Sequence, residues 1–348
     1  MKRFAIAAMI LGTALACTKS NIQYEPTGEI SLQPVAEKAT KAALSGTAYT
    51  DGAPAFNVWA WWTGVEPGSS IEDVLASDDI ASYIDKGEFV HRGNGSWGGS
   101  IPYYWPSEGS LVFAGYSPSQ PLGGTFSYNE GAREFIVEDY VQSNNITETV
   151  DLMWFDITDR SYNSNKNKVN DQDVNGVPVV FQHALSWLQF RFQIKSAPGI
   201  YQNWLITDIK LNGIETKANF HSKATSAKWT GHEDPKEIHI WNGSHLASTT
   251  PAVLEFTEKQ DGVVVIPQSC TSPKSLVVTY NLKRYLGGKD DWLRAQTVTL
   301  PLDTGIDGGT WLPGKKYIYT IIFGDNEIRI APAIEKDWDN QNLDIEVQ

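Results

Sequence analysis

The stretch Leu188-Gln-Phe-Arg-Phe-Gln-Ile194 alternates strictly between apolar and polar residues. Because successive side chains of a β-strand point to opposite faces, this stretch predicts a strand with its apolar side chains in a core. The opposite face, formed by Gln189, Arg191 and Gln193, is predicted to lie in water. Residues 317–323 repeat the alternation but carry apolar residues on the other face as well, which predicts a strand covered on both sides.

Further segments rich in β-branched and aromatic residues extend the β pattern along the chain. They are residues 56–62, 111–116, 150–155, 205–211, 263–266, 276–282 and 297–302. Residues 160–176 are polar and nearly free of apolar side chains, which indicates a domain boundary or a long loop. Many short strands separated by Gly, Pro and Asn turns predict a mainly β fold of two tandem β-sandwiches, at residues 46–175 and 176–348.

One segment, in the predicted N-terminal sandwich, has the pattern of a short helix. Ser70 can cap its first turn, and Asp73 completes a pair of the capping-box type. The apolar stripe that follows consists of Ile71, Val74, Leu75 and Ile80. Gly87 is predicted to end this helix.

The N-terminus has the pattern of an export signal. Two basic residues precede an apolar core at residues 4–16, which is too short for a permanent span of the ~30 Å hydrocarbon layer. Cys17 follows the small residue Ala16, as in a bacterial lipobox. We predict residues 1–17 to be a lipoprotein signal, with cleavage after Ala16 and an acyl lipid such as palmitate on Cys17 as the anchor to the outer membrane. An ordinary signal with an incidental cysteine is the alternative.

The composition excludes several functional classes. The chain has 348 residues and a formal net charge of −13, whereas binding along nucleic-acid phosphates needs a concentrated basic patch. The two cysteines, Cys17 and Cys270, exclude a disulfide-dense scaffold and a four-cysteine zinc site. The 13 Trp, 14 Tyr and 13 Phe favour packed strands.

The chemical motifs predict no catalytic residue, no cofactor and no metal site. Residues 309–316 approximate a phosphate-binding loop, but Lys316 replaces the hydroxyl residue that ligates magnesium, so a turn into the next strand is the better interpretation. Residues 171–176 carry the first half of a calcium-loop pattern without its bidentate Glu, and polar turn chemistry is the alternative. Four histidines lack the close spacing of a zinc site. They are His221, His232, His239 and His245.

A group of aromatic residues supports a different hypothesis, that of a glycan-binding surface. Aromatic rings stack on the apolar faces of sugars when they are exposed, whereas buried rings only pack a core. The residues concerned are Trp59, Trp61, Trp62, Trp97, Tyr103, Tyr104 and Trp105.

Four segments together resemble the fimbrillin-like family of Bacteroides-type bacteria, which contains type V pilins and related cell-surface lipoproteins. The segments are Tyr103-Tyr104-Trp105-Pro106 with residues 109–118, Asp151-Leu152-Met153, residues 179–192, and residues 311–330 with Asp337-Trp338. The resemblance implies two transthyretin-like β-sandwiches, export as a lipoprotein and no enzymatic activity. It also implies assembly by strand exchange, in which a strand of one subunit fills a groove in the next.

The family's maturation implies particular residues in this chain. A protease removes the lipidated leader together with the first strand, which here corresponds to residues 18–45 with a strand at Glu29 to Leu32. Pro34 is predicted to close that strand. The cleavage position corresponds to Lys41, where the family favours Arg. This departure leaves open whether the subunit is cleaved, and an uncleaved subunit would stay anchored by its lipid.

The donor strand has two candidates under the resemblance. One is residues 327–330, and the other is the C-terminal segment with Leu343, Ile345 and Val347, whose alternation suits insertion of one face. The alternative for the second is simply the last strand of its own sheet.

Two functions follow as hypotheses. The first is a fimbrial subunit at the cell surface that contributes to adhesion and has other pilin subunits as partners through strand insertion. The second is a lipid-anchored surface protein that does not polymerise and binds a glycan or a host protein. Neither hypothesis includes nucleic acid as a partner or enzymatic activity.

Overall fold

The structure is a computed structural model that describes residues 28–36, 53–93, 96–146, 148–156, 161–163, 176–195, 202–225, 227–248, 250, 252–253, 262–286, 289–292, 294–324 and 328–338. The elements up to residue 183 are β1 (Ser31–Ala36), β2 (Phe56–Thr63), α1 (Ile71–Leu75), β3 (Ile80–Gly93), β4 (Ser96–Gly99), β5 (Ser110–Ser117), β6 (Thr125–Asn129), β7 (Glu134–Val141), β8 (Met153–Asp156) and β9 (Val177–His183). The later strands are β10 (Ser186–Ile194), β11 (Gln202–His221), β12 (Trp229–Leu246), β13 (Ala252–Val253), β14 (Val263–Val265), β15 (Ser275–Leu286), β16 (Lys289–Trp292), β17 (Gln296–Pro301), β18 (Lys315–Phe323), β19 (Ile328–Ile330) and β20 (Ile334–Asp337). This confirms the predicted mainly β fold.

The N-terminal strands close into a barrel in the order β1-β4-β3-β2-β5-β8-β9. Neighbouring strands are antiparallel except for β9 and β1, which are parallel and complete the circle. Apolar side chains at alternate strand positions fill the interior. They include Phe56, Val58, Phe113, Phe155, Val179 and Phe181. Because the sheet closes on itself, its two edge strands are paired with each other.

Two further sheets enclose a second core. A six-stranded sheet has the order β13-β10-β18-β19, with β14 also on β10 and β20 on β18. A seven-stranded sheet has the order β16-β15-β11-β7-β6, with β12 on β11 and β17 on β15. Apolar residues of β10 and β18, such as Phe190 and Tyr319, meet residues of β11 and β15, such as Leu211 and Val278. This packing is the sandwich that the alternating strands predict.

A third apolar cluster, here called the junction cluster, joins the barrel to the seven-stranded sheet. The outer face of β2, β5 and β8 packs against β6, β7 and the far ends of β11 and β12. Its large members include Trp59, Tyr116, Phe135, Trp154, Phe220 and Trp229. Strands β11 and β12 are 20 and 18 residues long, so they reach from the sandwich core to this cluster.

Sheet pairing crosses the predicted boundary between residues 175 and 176. Strand β9, which follows the boundary, belongs to the barrel, while β6 and β7, which precede it, belong to the seven-stranded sheet. The two cores are consistent with two structural units. However, each unit contains strands from both the N-terminal and the C-terminal half of the chain. The division into domains at this boundary stays a prediction.

The polar face of β10 does not lie in water as predicted. Gln189 is fully buried and Arg191 is only 8% exposed. Ile318 of β18 is paired with Gln189, points to the same side of the sheet and is also buried. The alternation therefore predicts the strand and its core face correctly, but it does not report that packing covers the second face. The buried Ile318, between the buried Tyr317 and Tyr319, confirms that this part of β18 is covered on both sides.

Helix α1 begins where predicted but is much shorter. The hydroxyl of Ser70 accepts a hydrogen bond from the Asp73 backbone N–H at 3.2 Å and donates one to the Asp73 carboxylate at 2.9 Å. The helix ends at Leu75, so the predicted end at Gly87 is wrong. The residues beyond it form β3, because Ile84 enters the barrel core and the strand pairs with β2 from Ile80 to Phe89. Within the described ranges, the structure has no helix long and apolar enough to cross a membrane.

The segment that approximates a phosphate-binding loop is a turn, as predicted. Gly309 and Gly314 have φ angles of 58° and 68°, and β18 follows at once. Trp311 is fully buried and its indole N–H donates to the Tyr319 hydroxyl at 2.7 Å. A phosphate-binding loop directs its backbone N–H groups inward at the phosphate, whereas this turn places the bulky Trp311 ring inside.

Candidate functional site around strand β1

Strand β1 is held on two sides and completes the barrel. It pairs antiparallel with β4 through residues 31–32 and parallel with β9 through residues 32–36. Its partners in β9 are residues 177–181, whereas β8 pairs only with residues 182 and 183 of that strand. In the described part of the chain, β1 is therefore the only ladder partner of the first five residues of β9.

The inward face of β1 is apolar and fully covered. Ile30 and Leu32 have no exposed surface, and Pro34 is buried at the third alternate position. Ser31 and Gln33 on the other face are half-buried. The predicted end at Pro34 is wrong, because β1 continues to Ala36. In the described residues β4 pairs only with residues 31 and 32 of β1, so Pro34 has a neighbouring strand on one side only. A proline, which lacks a backbone N–H, is tolerated at such an edge position.

The chain before β1 pairs with the loop between β4 and β5. Glu29 forms an antiparallel bridge with Tyr104. The backbone N–H of Ile30 donates to the Tyr103 carbonyl at 2.7 Å, and the Trp105 N–H donates to the Gly28 carbonyl at 3.1 Å. The paired segment thus begins before the strand itself, in agreement with the predicted start at Glu29.

A charged pair and a glycine flank β1. Arg92 lies 3.9 Å from Glu29, with both side chains 44% exposed, so the pair contributes little to stability. Gly176 has a φ of 119°, and a Cβ atom there would lie 2.6 Å from the Ser31 carbonyl oxygen. Only glycine therefore allows the backbone before β9 to approach β1 so closely.

Burial shifts pKa values in the cores of the protein. It raises the pKa of the Cys270 thiol to about 11 and that of the Tyr116 hydroxyl to about 12. It also raises the pKa of Asp156, although the buried Arg133 guanidinium beside that carboxylate opposes the shift. A thiol with so high a pKa is protonated at neutral pH and is a poor nucleophile.

Several predicted site residues lie outside the described residues. They are Ala16, Cys17, Lys41, Leu343, Ile345 and Val347, together with the calcium-like loop up to residue 175. The other donor candidate, residues 327–330, is described from Ile328 onwards as β19. That strand is already paired with β18 in its own sheet, and Ile330 is buried, so its release would break an existing ladder.

The glycan platform that the aromatic residues suggested is not present as an exposed surface. Trp59, Trp61, Trp97 and Trp105 are all buried, with at most 7% of their surface exposed. Trp62 and Tyr103 are half-buried, and Tyr104 is 42% exposed. The clustering in sequence arises because alternate residues of β2 face two different cores.

The four histidines make separate contacts. His221 lies beside Glu134, His239 beside Asp208, and the His232 ring nitrogen is 2.8 Å from the Pro267 carbonyl oxygen. Burial lowers the pKa of His245. Among the residues that the structure describes, no three His, Cys, Asp or Glu side chains come together as metal ligands.

Comparison with known families decides the relationship of this chain. The sequence profile of a family described as fimbrillin-like matches residues 40–338. The chain belongs to the fimbrillin-like family. This membership confirms the resemblance carried by the four sequence segments. No curated protein sequence gives a significant match to this fimbrillin-like chain.

Solved structures share the fold of this fimbrillin-like protein. A fimbrial protein from Bacteroides vulgatus aligns with a TM-score of 0.59 at 16% identity, over 89% of this chain and 99% of its own. A candidate cell adhesion protein from Bacteroides uniformis aligns with a TM-score of 0.51 at 14% identity, again over 89% and 99% of the two chains. At such identities the likeness is one of fold.

Sequence reasoning missed two parts of the site in this fimbrillin-like protein. It ended the strand at Pro34, although Ile30, Leu32 and Pro34 form one alternation of apolar with polar residues that is visible in the sequence. It also assigned residues 103–105 to the resemblance and to a glycan surface, not to pairing with residues 28–30. That contact joins segments distant in sequence, and no local pattern reports it.

Proposed function

We propose that this fimbrillin-like protein is a structural subunit of a cell-surface fimbria, contributes to adhesion and assembles by strand exchange. In this proposal β1 completes the barrel only until maturation, and a strand of the next subunit then replaces it. The observation that carries the proposal is the position of β1 between β4 and β9, with its apolar face buried in the barrel. Membership of the fimbrillin-like family supports the same role.

The energetics favour a barrel that always contains a strand at this position. Burial of Ile30 and Leu32 contributes about 1.5–3 kcal/mol for each side chain. Each backbone hydrogen bond to the neighbouring strands adds about 0.5–1.5 kcal/mol net. These contributions are comparable to the whole stability of a typical domain, about 5–15 kcal/mol. A barrel without β1 would therefore bind a matching strand tightly and release it slowly.

Export and processing supply the order of events in this proposal. Cleavage after Ala16 and acylation of Cys17 anchor the chain to the outer membrane at the cell surface. Lys41 lies between β1 and β2, so a cut there separates β1 from the barrel covalently while leaving its ladder intact. The strand then leaves only when a competing strand displaces it. A subunit that is not cut stays at the anchor.

The C-terminal segment matches the pattern that the barrel position requires. Residues 343–347 read Leu-Asp-Ile-Glu-Val, with apolar side chains at alternate positions. This spacing is the same as that of Ile30, Leu32 and Pro34, whose side chains face the barrel interior. The acidic residues between them would take the outward positions of β1. We therefore propose Leu343, Ile345 and Val347 as the donor residues for the next subunit.

The donor assignment is tested with two single substitutions in the full chain, expressed on the surface of a Bacteroides-type host. Ile345→Asp would place a charge in the barrel interior, so polymer ladders on mild-denaturant gels should disappear. Asp344→Asn changes an outward position next to it and should leave the ladders unchanged. Ladders that persist in the first variant would remove this segment as the donor.

The cleavage step is tested separately with Lys41→Ala. We expect the variant to remain in the membrane fraction as a monomer that retains its leader, as detected by mass spectrometry. Lys38→Ala, a nearby basic position, is the matched control and should be processed normally. A parent chain that is cleaved at the cell surface but never forms ladders would instead favour a binding protein that does not polymerise.

A further inference from the structure

Residues 100–109, here called the rail, run alongside the entrance to the β1 position. They pair with the chain before β1 through the Glu29–Tyr104 bridge and two backbone hydrogen bonds. One bond uses the Tyr103 carbonyl as acceptor and the other uses the Trp105 N–H as donor. Any strand that replaces β1 meets these two groups at the rim of the barrel.

The rail keeps its position through contacts that do not involve β1. The Ser100 N–H donates to the Glu88 carbonyl at 2.7 Å, and the Tyr83 hydroxyl donates to the Tyr104 carbonyl at 2.6 Å. The buried Asn163 side-chain amide donates to the carbonyls of Pro106 at 3.0 Å and Gly109 at 2.8 Å. Both ends of the rail are thus tied to the body of the protein.

Ring packing and one glycine hold the middle and the end of the rail. Tyr103 stacks on Phe89 with ring centroids 6.0 Å apart, and Trp105 meets Phe113 edge-on at 5.9 Å. Gly109 has a φ of 71°, and a Cβ atom there would lie 2.3 Å from a backbone carbonyl oxygen of β2. The rail is therefore preorganised by the barrel and does not depend on the strand that it pairs with.

This preorganisation has a consequence for exchange. If β1 departs, the Tyr103 carbonyl and the Trp105 N–H stay in place but lose these two hydrogen bonds to residues 28 and 30. With residues 28–30 in place Trp105 is only 2% exposed, so a strand that covers this position again without offering both hydrogen bonds would bury these two groups unpaired. Buried polar groups without hydrogen-bond partners are unfavourable. An incoming strand that pairs with both the Tyr103 carbonyl and the Trp105 N–H should therefore bind more tightly than a strand that does not.

We propose that the rail is a fixed backbone-recognition element that sets the length and direction of the strand completing the barrel. Its occupant is an extended segment of a second copy of this chain, so the inference rests on the proposed function. The segment must run antiparallel to the rail, carry two residues before its first buried apolar side chain, and have an N–H at the position of Ile30. Gln341 and Asn342 precede Leu343 in this chain and meet the requirement for two preceding residues.

The test uses the full chain with a specific protease site inserted beside Lys41. After cutting, the β1 fragment remains bound by its ladder, and synthetic peptides of residues 26–38 compete with it in a fluorescence-exchange assay. One peptide carries an ester in place of the Ile30 amide, which removes the donor to Tyr103 and changes no side chain. The control peptide carries Glu29→Gln, which removes the exposed charge pair with Arg92 and keeps the backbone.

We expect the ester peptide to bind about tenfold more weakly, which corresponds to about 1.4 kcal/mol. A peptide shortened to begin at Ile30 should lose a similar factor, whereas Glu29→Gln should change the affinity less than twofold. If the normal, ester and shortened peptides compete equally well, the proposed role of the rail in recognising the backbone is wrong. A peptide of residues 339–348 serves as a separate probe. If it fails to bind while the ester effect persists, the donor assignment falls and the rail stands.

Discussion

Leu32 is a fully buried residue of β1 whose removal is simple to interpret. It has no exposed surface and belongs to the barrel core. We expect Leu32→Ala to lower the free energy of unfolding by about 2–5 kcal/mol, because it removes buried methyl groups and leaves a cavity. Urea denaturation of the full chain measures the change. Gln33→Ala, on the opposite face, should cost less than about 0.5 kcal/mol. Equal losses in the two variants would contradict the orientation of β1.

Cys270 provides a pH-dependent test at the same scale. Burial raises the pKa of its thiol to about 11 from an ordinary value of 9.0, and the residue has no exposed surface. The unfolded thiol therefore ionises first as pH rises, so the free energy of unfolding should fall between pH 9 and pH 11. Each pKa unit of difference corresponds to about 1.4 kcal/mol.

The Cys270 effect is isolated by comparison with Cys270→Ala, with Cys17→Ser in both chains. Tyrosines that titrate in the same range contribute to both stability profiles, so only the difference between the profiles reports the thiol. We expect that difference to shrink as pH rises through the window, as measured by denaturation at each pH. A constant difference would show that the folded and unfolded thiols ionise alike.

The sequence predicts contacts between residues that are close in the chain, but it does not predict which distant segments cover a residue. Ser70 and Asp73 form the predicted capping pair because their contact depends on a spacing of three residues. Gln189 and Arg191 are predicted to face water, but both are buried, so this face of β10 is covered as well. Similarly, Trp59 and Trp61 are core residues and not an exposed platform. A pattern along the chain predicts which residues share a face but not what covers that face.

At the scale of elements, β9 depends on β1 for its hydrogen bonding. Residues 177–181 have β1 as their only ladder partner in the described part of the chain. We expect Leu32→Ala to raise the hydrogen-exchange rates of amides in residues 177–181 by a factor similar to that in β1. Mass spectrometry of peptides from the full chain measures both rates. Amides of β5, which pairs with β2 and β8, should change less than those of β9. Unchanged exchange in β9 would contradict this dependence on β1.

Most elements of this fold were predictable because their strands alternate or are uniformly apolar. The failures occur where two interpretations share one local pattern. Ile71, Val74 and Ile80 suit a helix, but the chain leaves the helix at Leu75 and pairs with β2 from Ile80 onwards. One part of the candidate site, strand β1, was predictable because apolar and polar residues alternate in it. The pairing of residues 28–30 with 103–105 was not, because it is a contact between distant segments.

At the scale of the whole molecule, the junction cluster connects the barrel to the seven-stranded sheet. Trp229 of β12 is 4% exposed, and its indole N–H donates to the Ala184 carbonyl, next to β9, at 2.6 Å. Its ring lies 5.3 Å from Tyr140 and 5.0 Å from Phe220. In the proposed assembly by strand exchange, a subunit would need such a coupling between its two cores, because a strand bound in the barrel would otherwise transmit force to a loosely attached sandwich.

We therefore predict that the full chain unfolds in one calorimetric transition and that Trp229→Ala separates it into two. The substitution removes a large ring from between the barrel and the sheet, so the ratio of calorimetric to van't Hoff enthalpy should rise above one. Trp204→Ala is the matched control, because Trp204 is 6% exposed within the sandwich core and outside the junction. It should lower stability by about 3–5 kcal/mol while the enthalpy ratio stays near one. The same ratio in both variants would mean that the long strands β11 and β12, and not the junction cluster, couple the two cores.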